Sequence, residues 1–421
     1  MKELIRKIFK GDAILWTIII LLFIVSGMVM FSAISSSAYR HDDYLSPFWG
    51  HLKHLCFAFV IILVVHQFPF RSIRLGLWFI PLLSLILLIL TSFMGKDVNN
   101  ASRSIVIAGF EIQSIEITKV AIVILFSEIL GYFNTHKEKK MTIKPFCIMS
   151  CILVLFCFLV MIQNFSTAFL LFGVTILMMY IGRVSLKYIV SLIGIIVVVG
   201  GLFIGGSYAF NIENKITKRV DTWVSRLVQH NESTANQSDN KTIVIDDSNR
   251  QIINSKIAIA NGISPCGPGN SIQRDYLALA FSDFVYAVMI EEYGIFFGGI
   301  CVILLYVIIL ARTGKIARRC GPNEATESLL VIGLGLIIVL QAFINMSVAT
   351  ELGPVTGQTL PLISRGGMSL LVTAFCFGLI LGISAHNEER IKKEQAALLA
   401  KEDTNNTPIE PTDHTTTINQ E

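Results

Sequence analysis

Residues 13–35 read AILWTIIILLFIVSGMVMFSAIS, without a single charge. As a helix this stretch rises about 35 Å, enough to cross a hydrocarbon core of roughly 30 Å. Its apolar residues run around the whole helix rather than along one stripe, a pattern that suits lipid as the solvent. Similar stretches recur at 48–67, 71–93, 115–133, 145–163, 166–183, 188–209, 284–311, 327–349 and 366–385. Each can satisfy its own backbone hydrogen bonds as a helix, as lipid demands. The expected fold is therefore all-α and polytopic, with about ten transmembrane helices. The least typical span is 115–133, which carries Glu116, Lys119 and Glu128.

Composition agrees. Hydrophobic residues make up 53% of the 421 and charged residues 15%, at a mean hydropathy of +0.66. A soluble domain cannot hide that much apolar surface. The net charge of +4 and the lack of a long basic stripe argue against a nucleic-acid partner. Most of the eight cysteines lie inside apolar runs and none forms a Cys-x-x-Cys pair, so they read as small hydrophobes. The first apolar run is too long for a signal-peptide core and lacks a small-residue cleavage site. Walker, dinucleotide-binding, zinc-protease and haem motifs are all absent from the sequence.

Lysine and arginine set the orientation. They gather at the N-terminus (Lys2, Arg6, Lys7, Lys10) and in alternate loops: Arg71 and Arg74; Lys137, Lys139, Lys140 and Lys144; Arg183 and Lys187; Arg312, Lys315, Arg318 and Arg319. Arg390, Lys392 and Lys393 begin the tail. With ten spans all of these fall on one side, so both termini are expected in the cytoplasm. The outer side receives three loops, about 94–114, 210–283 and 350–365, the largest between spans seven and eight. Within it Asn231–Asn249 is polar and reads as flexible. Residues 1–386 form the expected membrane domain, and 387–421 a polar tail, disordered beyond a short helix at Glu388–Lys401.

Ionisable groups in or beside spans are costly and mark candidate sites. Asp283, in Ser282-Asp283-Phe284-Val285-Tyr286, sits where the loop enters a span. Spacing leaves two readings open: a helix N-cap, the commoner use, or a desolvated general base. Glu291 and Glu292 are expected two turns further in, and at least one needs a polar partner. Glu116 and Lys119 share a helical face and can pair with each other; otherwise Lys119 faces an outer cavity and meets an anion. Arg103, Lys218, Arg219, Lys256 and Arg365 supply outer positive charge, for phosphate or merely for water. The loop NMSVATELGPVTGQTLPLISRGGMS, Asn345 to Ser369, mixes glycine, proline and hydroxyl residues between two spans. It reads as a re-entrant segment closing an outward cavity, with a plain surface turn as the alternative.

At these residues the chain resembles the SEDS family, which includes FtsW, RodA and SpoVE. Asn345, Gly353-Pro354, Thr356-Gly357, Leu360-Pro361, Ser364 and Gly366-Gly367 follow the family's N…G-x-x-P-x-T-G-x-x-L-P-x-x-S-x-G-G, with altered spacing around the first glycine. Gly267-Pro268-Gly269-Asn270-Ser271-Ile272-Gln273 resembles G-x-G-N-S-x-Q, and Asp283-Phe284 with Glu291-Glu292-Tyr293-Gly294 resembles D-F-x-F-A…G-E-E-x-G. Asn100-Ala101-Ser102-Arg103 and Gln113–Lys119 match upstream motifs. The chain departs at Ser104, where the family often has Trp, at Ser114-Ile115, at Gly366-Gly367-Met368-Ser369, and at Gln163–Thr167, where an acidic position has no match. The wording around Thr356-Gly357-Gln358 and Ser364-Arg365-Gly366 is more like FtsW than RodA.

The resemblance implies a peptidoglycan glycosyltransferase that polymerises lipid II on the outer leaflet, in cell division if FtsW-like or in elongation if RodA-like. It implies a class B penicillin-binding protein as transpeptidase partner, other divisome or elongasome proteins, and a location in the bacterial cytoplasmic membrane. It places the catalytic aspartate on Asp283. Substrate contacts are expected from Arg103, Glu116, Lys119, Arg219, Lys256, Ser364 and Arg365. Glu292, Asn345, Pro354, Thr356, Gly357, Pro361, Gly366 and Gly367 are expected to shape the cavity. No cofactor is required by the sequence; a magnesium or manganese ion at the pyrophosphate is the one candidate. The rival functions are a lipid II flippase, which needs polar groups through the inner half as well, and a non-catalytic scaffold.

Overall fold

The computed structural model describes residues 9–37, 46–94, 96–98, 101–107, 110–136, 141–209, 224, 250–277 and 280–405. Every stretch expected to span is helical. In chain order the helices are α1 (Ala13–Ser37), α2 (Ser46–Val65), α3 (Phe70–Leu77), α4 (Phe79–Met94), α5 (Ser114–Thr135), α6 (Ile143–Gln163), α7 (Phe165–Ile181), α8 (Leu186–Ala209), α9 (Arg250–Asn261), α10 (Val285–Gly294), α11 (Cys301–Arg318), α12 (Ala325–Ala349) and α13 (Gly367–Asn405). The chain is a multi-pass membrane protein: seven of its helical stretches are long and apolar enough to cross a bilayer, and α7 and α8 are shorter apolar helices. α13 runs unbroken from the last span to Asn405; residues 406–421 and Asn231–Asn249 lie outside the described residues.

The loop after α4 adds a small antiparallel sheet to this helical fold. Its strands are β1 (Lys96–Val98), β2 (Ala101–Ile107) and β3 (Phe110–Ile112), with Lys96 opposite Ser104 and Ile105 opposite Ile112.

The atypical span is a true helix because its charges are all matched. Lys119 pairs with Glu116 at 2.8 Å. Glu128 receives a forked bond from Arg74, Nε to Oε1 at 2.7 Å and Nη2 to Oε2 at 2.5 Å. With their charges neutralised in place, these residues face protein instead of lipid. At the centre, α12 and α13 are the most buried spans. Asp12 caps α1 by accepting the Leu15 N–H at 2.9 Å, and it also binds Arg312 near the end of α11. The start of α1 and the end of α11 therefore lie at one face. α2 and α13 run parallel, Gly367 lying against His54 and Gly378 against Val65.

One expected span is corrected. Residues 284–311 are not a single helix running inward from Asp283. The chain reverses at Gly294, whose φ of 83° is open mainly to glycine. A π-helical turn, Ile295–Ile300, then folds back against α10 and continues into α11. A Cβ at Gly298 would overlap the Met289 carbonyl, a contact that a continuous helix cannot make. A 34-residue apolar stretch would rise about 51 Å as one helix, far more than a bilayer core. The reversal resolves the excess: Ile295–Arg318 crosses, and α10 is a half-helix beside it.

The direction of α10 follows. Its far end binds Ser32, near the end of α1 opposite Asp12, through Glu292. Asp283 therefore marks the deep end, and Glu291 and Glu292 sit nearer the outer loop, the reverse of the sequence expectation. Because the hairpin leaves no volume at Gly298, we expect Gly298→Val to destabilise the protein by at least about 2 kcal/mol. Gly314→Ala, where a Cβ meets nothing within 4 Å, should leave stability unchanged or slightly raised. Thermal unfolding in detergent measures both; equal midpoints for the two variants would contradict the hairpin.

Candidate active site

Gly353–Gly366 is not a surface turn. Leu360, Leu362, Ile363 and Ser364 are all buried, and the two residues with left-handed backbone, Gly357 and Leu362, bend the chain. Ser26, midway along α1, donates to the Ile363 carbonyl at 3.1 Å. Tyr306 of α11 donates to the Pro361 carbonyl at 2.5 Å. The segment therefore re-enters the membrane to mid-helix depth, as expected, and protein groups satisfy its backbone there.

Asp283 sits on the turn this segment grips. It is 7% exposed, and its Oδ1 accepts a hydrogen bond from Ser282 at 3.0 Å. Phe284, not Asp283, holds the N-cap position of α10. Ser364 donates to the Ser282 carbonyl at 2.7 Å and accepts the Leu360 N–H at 2.7 Å. The Arg365 N–H donates to the Phe281 carbonyl at 2.8 Å. Asn345, 1% exposed, places one amide nitrogen between the Asp283 carbonyl at 2.9 Å and the Gln358 carbonyl at 2.7 Å. These bonds lock the aspartate's main chain to the re-entrant segment from both sides. Two buried acceptors nearby, Asn345 Oδ1 and Thr356 Oγ1, have no protein partner among the described residues.

The same lattice reaches the charged pair on α5. Lys119 bonds Gln341 at 2.6 Å as well as Glu116, and Gln341 donates to the Thr359 carbonyl at 2.9 Å. Gln358 reaches Thr167 at 2.6 Å. Lys119 is thus an intramembrane ion pair wired to the segment, and its ammonium is already shared by two partners. Lys256 on α9 is drawn aside by Glu351 at 2.6 Å. Pro354 is half-buried at the segment's entry and Pro361 buried at its tip, while Gly366 and Gly367 lead into α13. Arg103 belongs to β2, though its side chain lies outside the described residues, as do Lys218 and Arg219.

Sequence reasoning missed Arg274. It is 8% exposed and donates to the Ser32 carbonyl at 2.9 Å, the Ser32 hydroxyl at 3.0 Å and the Gly269 carbonyl at 2.8 Å, with Glu292 3.8 Å away. The signal was its place, directly after the Gly267–Gln273 motif. Beside it Glu291 binds Asn261 at 2.9 Å, Ser271, and the Gln273 N–H at 3.3 Å. The Cys266 and Gly267 N–H groups donate to the Glu291 and Glu292 carbonyls, each at 3.1 Å. Both acids thus clasp the outer loop to α10, a structural use that leaves Asp283 as the buried acid at the opposite, deep end. Gln341, Thr167 and Ser26 were missed too, because uncharged polar residues inside apolar runs give little signal.

The clasp has a measurable electrostatic mark. Cys266 is raised above the ordinary thiol range, first by desolvation, then by the charges of Glu291 and Glu292. A raised thiol leaves less thiolate at a given pH. Cys266 should therefore alkylate more slowly at pH 8 than a free thiol, and Glu291→Gln should speed the reaction by removing a negative charge. An unchanged rate in Glu291→Gln, read by mass spectrometry of the modified peptide, would contradict the placement of the two acids.

Comparison with known proteins agrees with this architecture. The family described as "Cell cycle protein", FtsW/RodA/SpoVE, matches residues 12–389. The chain is 30% identical over 383 residues to the probable peptidoglycan glycosyltransferase FtsW of Haemophilus influenzae, covering 89% of this chain and 90% of that one. It is 28% identical over 391 residues to the FtsW of Aliivibrio salmonicida, covering 90% and 89%. In fold it is similar to a chain of a peptidoglycan synthase complex that coordinates polymerisation and crosslinking, at a TM-score of 0.64, 19% identity and coverage of 90% and 98%. It is similar also to the rod shape determining protein RodA of Thermus thermophilus, at a TM-score of 0.60, 18% identity and coverage of 89% and 96%. With the match running through nine-tenths of its length, from the cap of α1 into α13, the chain belongs to the FtsW/RodA/SpoVE family.

Proposed function

We propose that this protein is a peptidoglycan glycosyltransferase that extends glycan strands from lipid II on the outer face of the bacterial cytoplasmic membrane. The observation that carries the reading is Asp283, a buried carboxylate whose backbone is fixed by Asn345, Ser364 and the Arg365 N–H. The curated relatives named FtsW support the division role over elongation. The positive-inside bias supports cytoplasmic termini, since Lys10, Lys315, Arg318 and Arg319 flank the Asp12–Arg312 bond. A class B penicillin-binding protein is the transpeptidase partner this reading calls for, by analogy with the peptidoglycan synthase complex of similar fold.

In this reaction a sugar 4-hydroxyl attacks the anomeric carbon of a lipid-linked chain. The C–O bond to the pyrophosphate breaks, its electron pair leaves with the pyrophosphate, and the hydroxyl proton passes to Asp283. The configuration inverts, as in inverting glycosidases. The unpartnered acceptors Asn345 Oδ1 and Thr356 Oγ1 suit sugar hydroxyls or an intervening water. Negative charge growing on the pyrophosphate needs cations: Arg365 borders the turn of Asp283, and Arg103 and Arg219 are the outer-loop candidates. No three His, Cys, Asp or Glu side chains converge among the described residues. A protein-held cation does not fit there, and a magnesium or manganese ion would draw its ligands mainly from phosphate oxygens and water.

The test is polymerisation of labelled lipid II by the purified protein with its partner. Asp283→Asn should lower the rate at least about 100-fold while expression and thermal midpoint stay near wild type. Glycan product at the wild-type rate would remove Asp283 as the base.

A further inference from the structure

The side chains of His51, His54 and Arg365 lie outside the hydrogen bonds that hold Asp283, near where the re-entrant segment runs into α13. His54, on α2, has its Nδ1 2.7 Å from the Gly50 carbonyl. A carbonyl only accepts, so Nδ1 carries a hydrogen and Nε2 is left unclaimed by that bond. A Cβ built on Gly367 would stand 3.0 Å from that Nε2. The second glycine of the Gly366-Gly367 pair is therefore small because an imidazole edge lies against its backbone.

Three residues earlier, His51 Nε2 lies 2.9 Å from Ser26 Oγ, which lies 3.1 Å from the Ile363 carbonyl. The serine proton must go to the carbonyl, so His51 Nε2–H donates to the serine. His51 thus props the tip of the re-entrant segment through Ser26. Arg365, two residues past Ile363, is exposed and makes no ion pair among the described residues. Arg365 and His54 both lie within electrostatic reach of His51. The helices packed against α2 add no charge here: α1 has none from Ala13 to Ser37, and α13 none from Gly367 to Ala385. Lys53 adjoins His54 on α2, and Asp283 is the carboxylate on the facing turn.

An exposed guanidinium without a carboxylate partner, two residues along the chain from the glycine that an open imidazole nitrogen lies against, is a donor set for a phosphoryl anion. The guanidinium supplies a fixed charge, and a hydrogen carried on the open Nε2 would give the anion a second donor. We propose that Arg365 and His54 form a pyrophosphate-binding pair, with His51 and Ser26 as positioning residues that hold the segment under it. The inference deepens the glycosyl-transfer reading and rests on it for the identity of the natural ligand, but the anion site can be tested without turnover.

The test uses the full-length protein in nanodiscs and two probes, a prenyl pyrophosphate and inorganic pyrophosphate. Arg365→Ala should weaken prenyl pyrophosphate binding about tenfold. His54→Ala should also weaken it, and His54→Lys, which puts a cation at the same place, should restore it. If inorganic pyrophosphate competes with equal affinity, the anion alone is recognised; if it competes weakly, the site takes a lipid-linked headgroup. Unchanged binding in Arg365→Ala, or unchanged binding in His54→Ala, would overturn the pair. Asp283→Asn separates the two readings: bound but not polymerised substrate supports both. Wild-type polymerisation by Asp283→Asn, with binding still lost in Arg365→Ala, would remove the base and leave the anion site standing.

Discussion

Irregular backbone at membrane depth must find its hydrogen bonds within the protein, because lipid offers none. The fold meets that constraint by setting two irregular segments against each other. One is the re-entrant stretch Gly353–Gly366; the other is the turn Phe281–Phe284 that precedes the half-helix α10. Asn345 alone satisfies a carbonyl in each, Asp283 on one side and Gln358 on the other. A buried amide making two such bonds contributes on the order of 1–3 kcal/mol. Its larger effect is geometric, because it fixes an aspartate that would otherwise ride on a free loop.

Depth then explains the chemistry. Asn345 lies four residues, about 6 Å, inside the Ala349 end of α12. It holds the Asp283 main chain at that level, away from the clasp of Glu291, Glu292 and Arg274 at the other end of α10. There the carboxylate is 7% exposed and largely shielded from water. The sheltered position also suits a substrate whose tail stays in lipid while its sugars reach in from outside. The clasp restrains the other end of the same ten-residue helix, so both ends of α10 are tied.

Much of this was legible in the sequence. The membrane helices follow from runs of apolar residues, a strong signal because lipid tolerates no exceptions cheaply. The re-entrant reading of Asn345–Ser369 followed from glycine and proline where a span would have none. The direction of α10 was not legible. Val285–Leu310 is apolar throughout save Glu291 and Glu292, and a reversal at Gly294 leaves no mark in hydropathy. Only Gly294 and Gly298-Gly299 hinted at it, and glycines are common in membrane helices. The fine wiring by Gln341 and Thr167 was hidden for a similar reason: one uncharged polar side chain hardly changes the hydropathy of a helix. The small sheet was missed because its strands lie in a short loop of mixed composition, where alternation is hard to see.

The reversal at Gly294 carries the account, since it decides that Asp283 lies deep and faces the re-entrant segment. It can be tested by paired substitution of Ile290→Cys and Gly299→Cys in a background lacking the native cysteines. A Cβ at position 299 stands 3.5 Å from Ile290 Cγ1 in the hairpin, whereas a continuous helix would separate the two residues by about 13.5 Å. A disulfide needs Cα atoms within about 7 Å. The account predicts that mild oxidation forms an intramolecular disulfide in membranes, seen as a linked peptide by mass spectrometry; thiols that remain free and reactive under the same oxidation would contradict it.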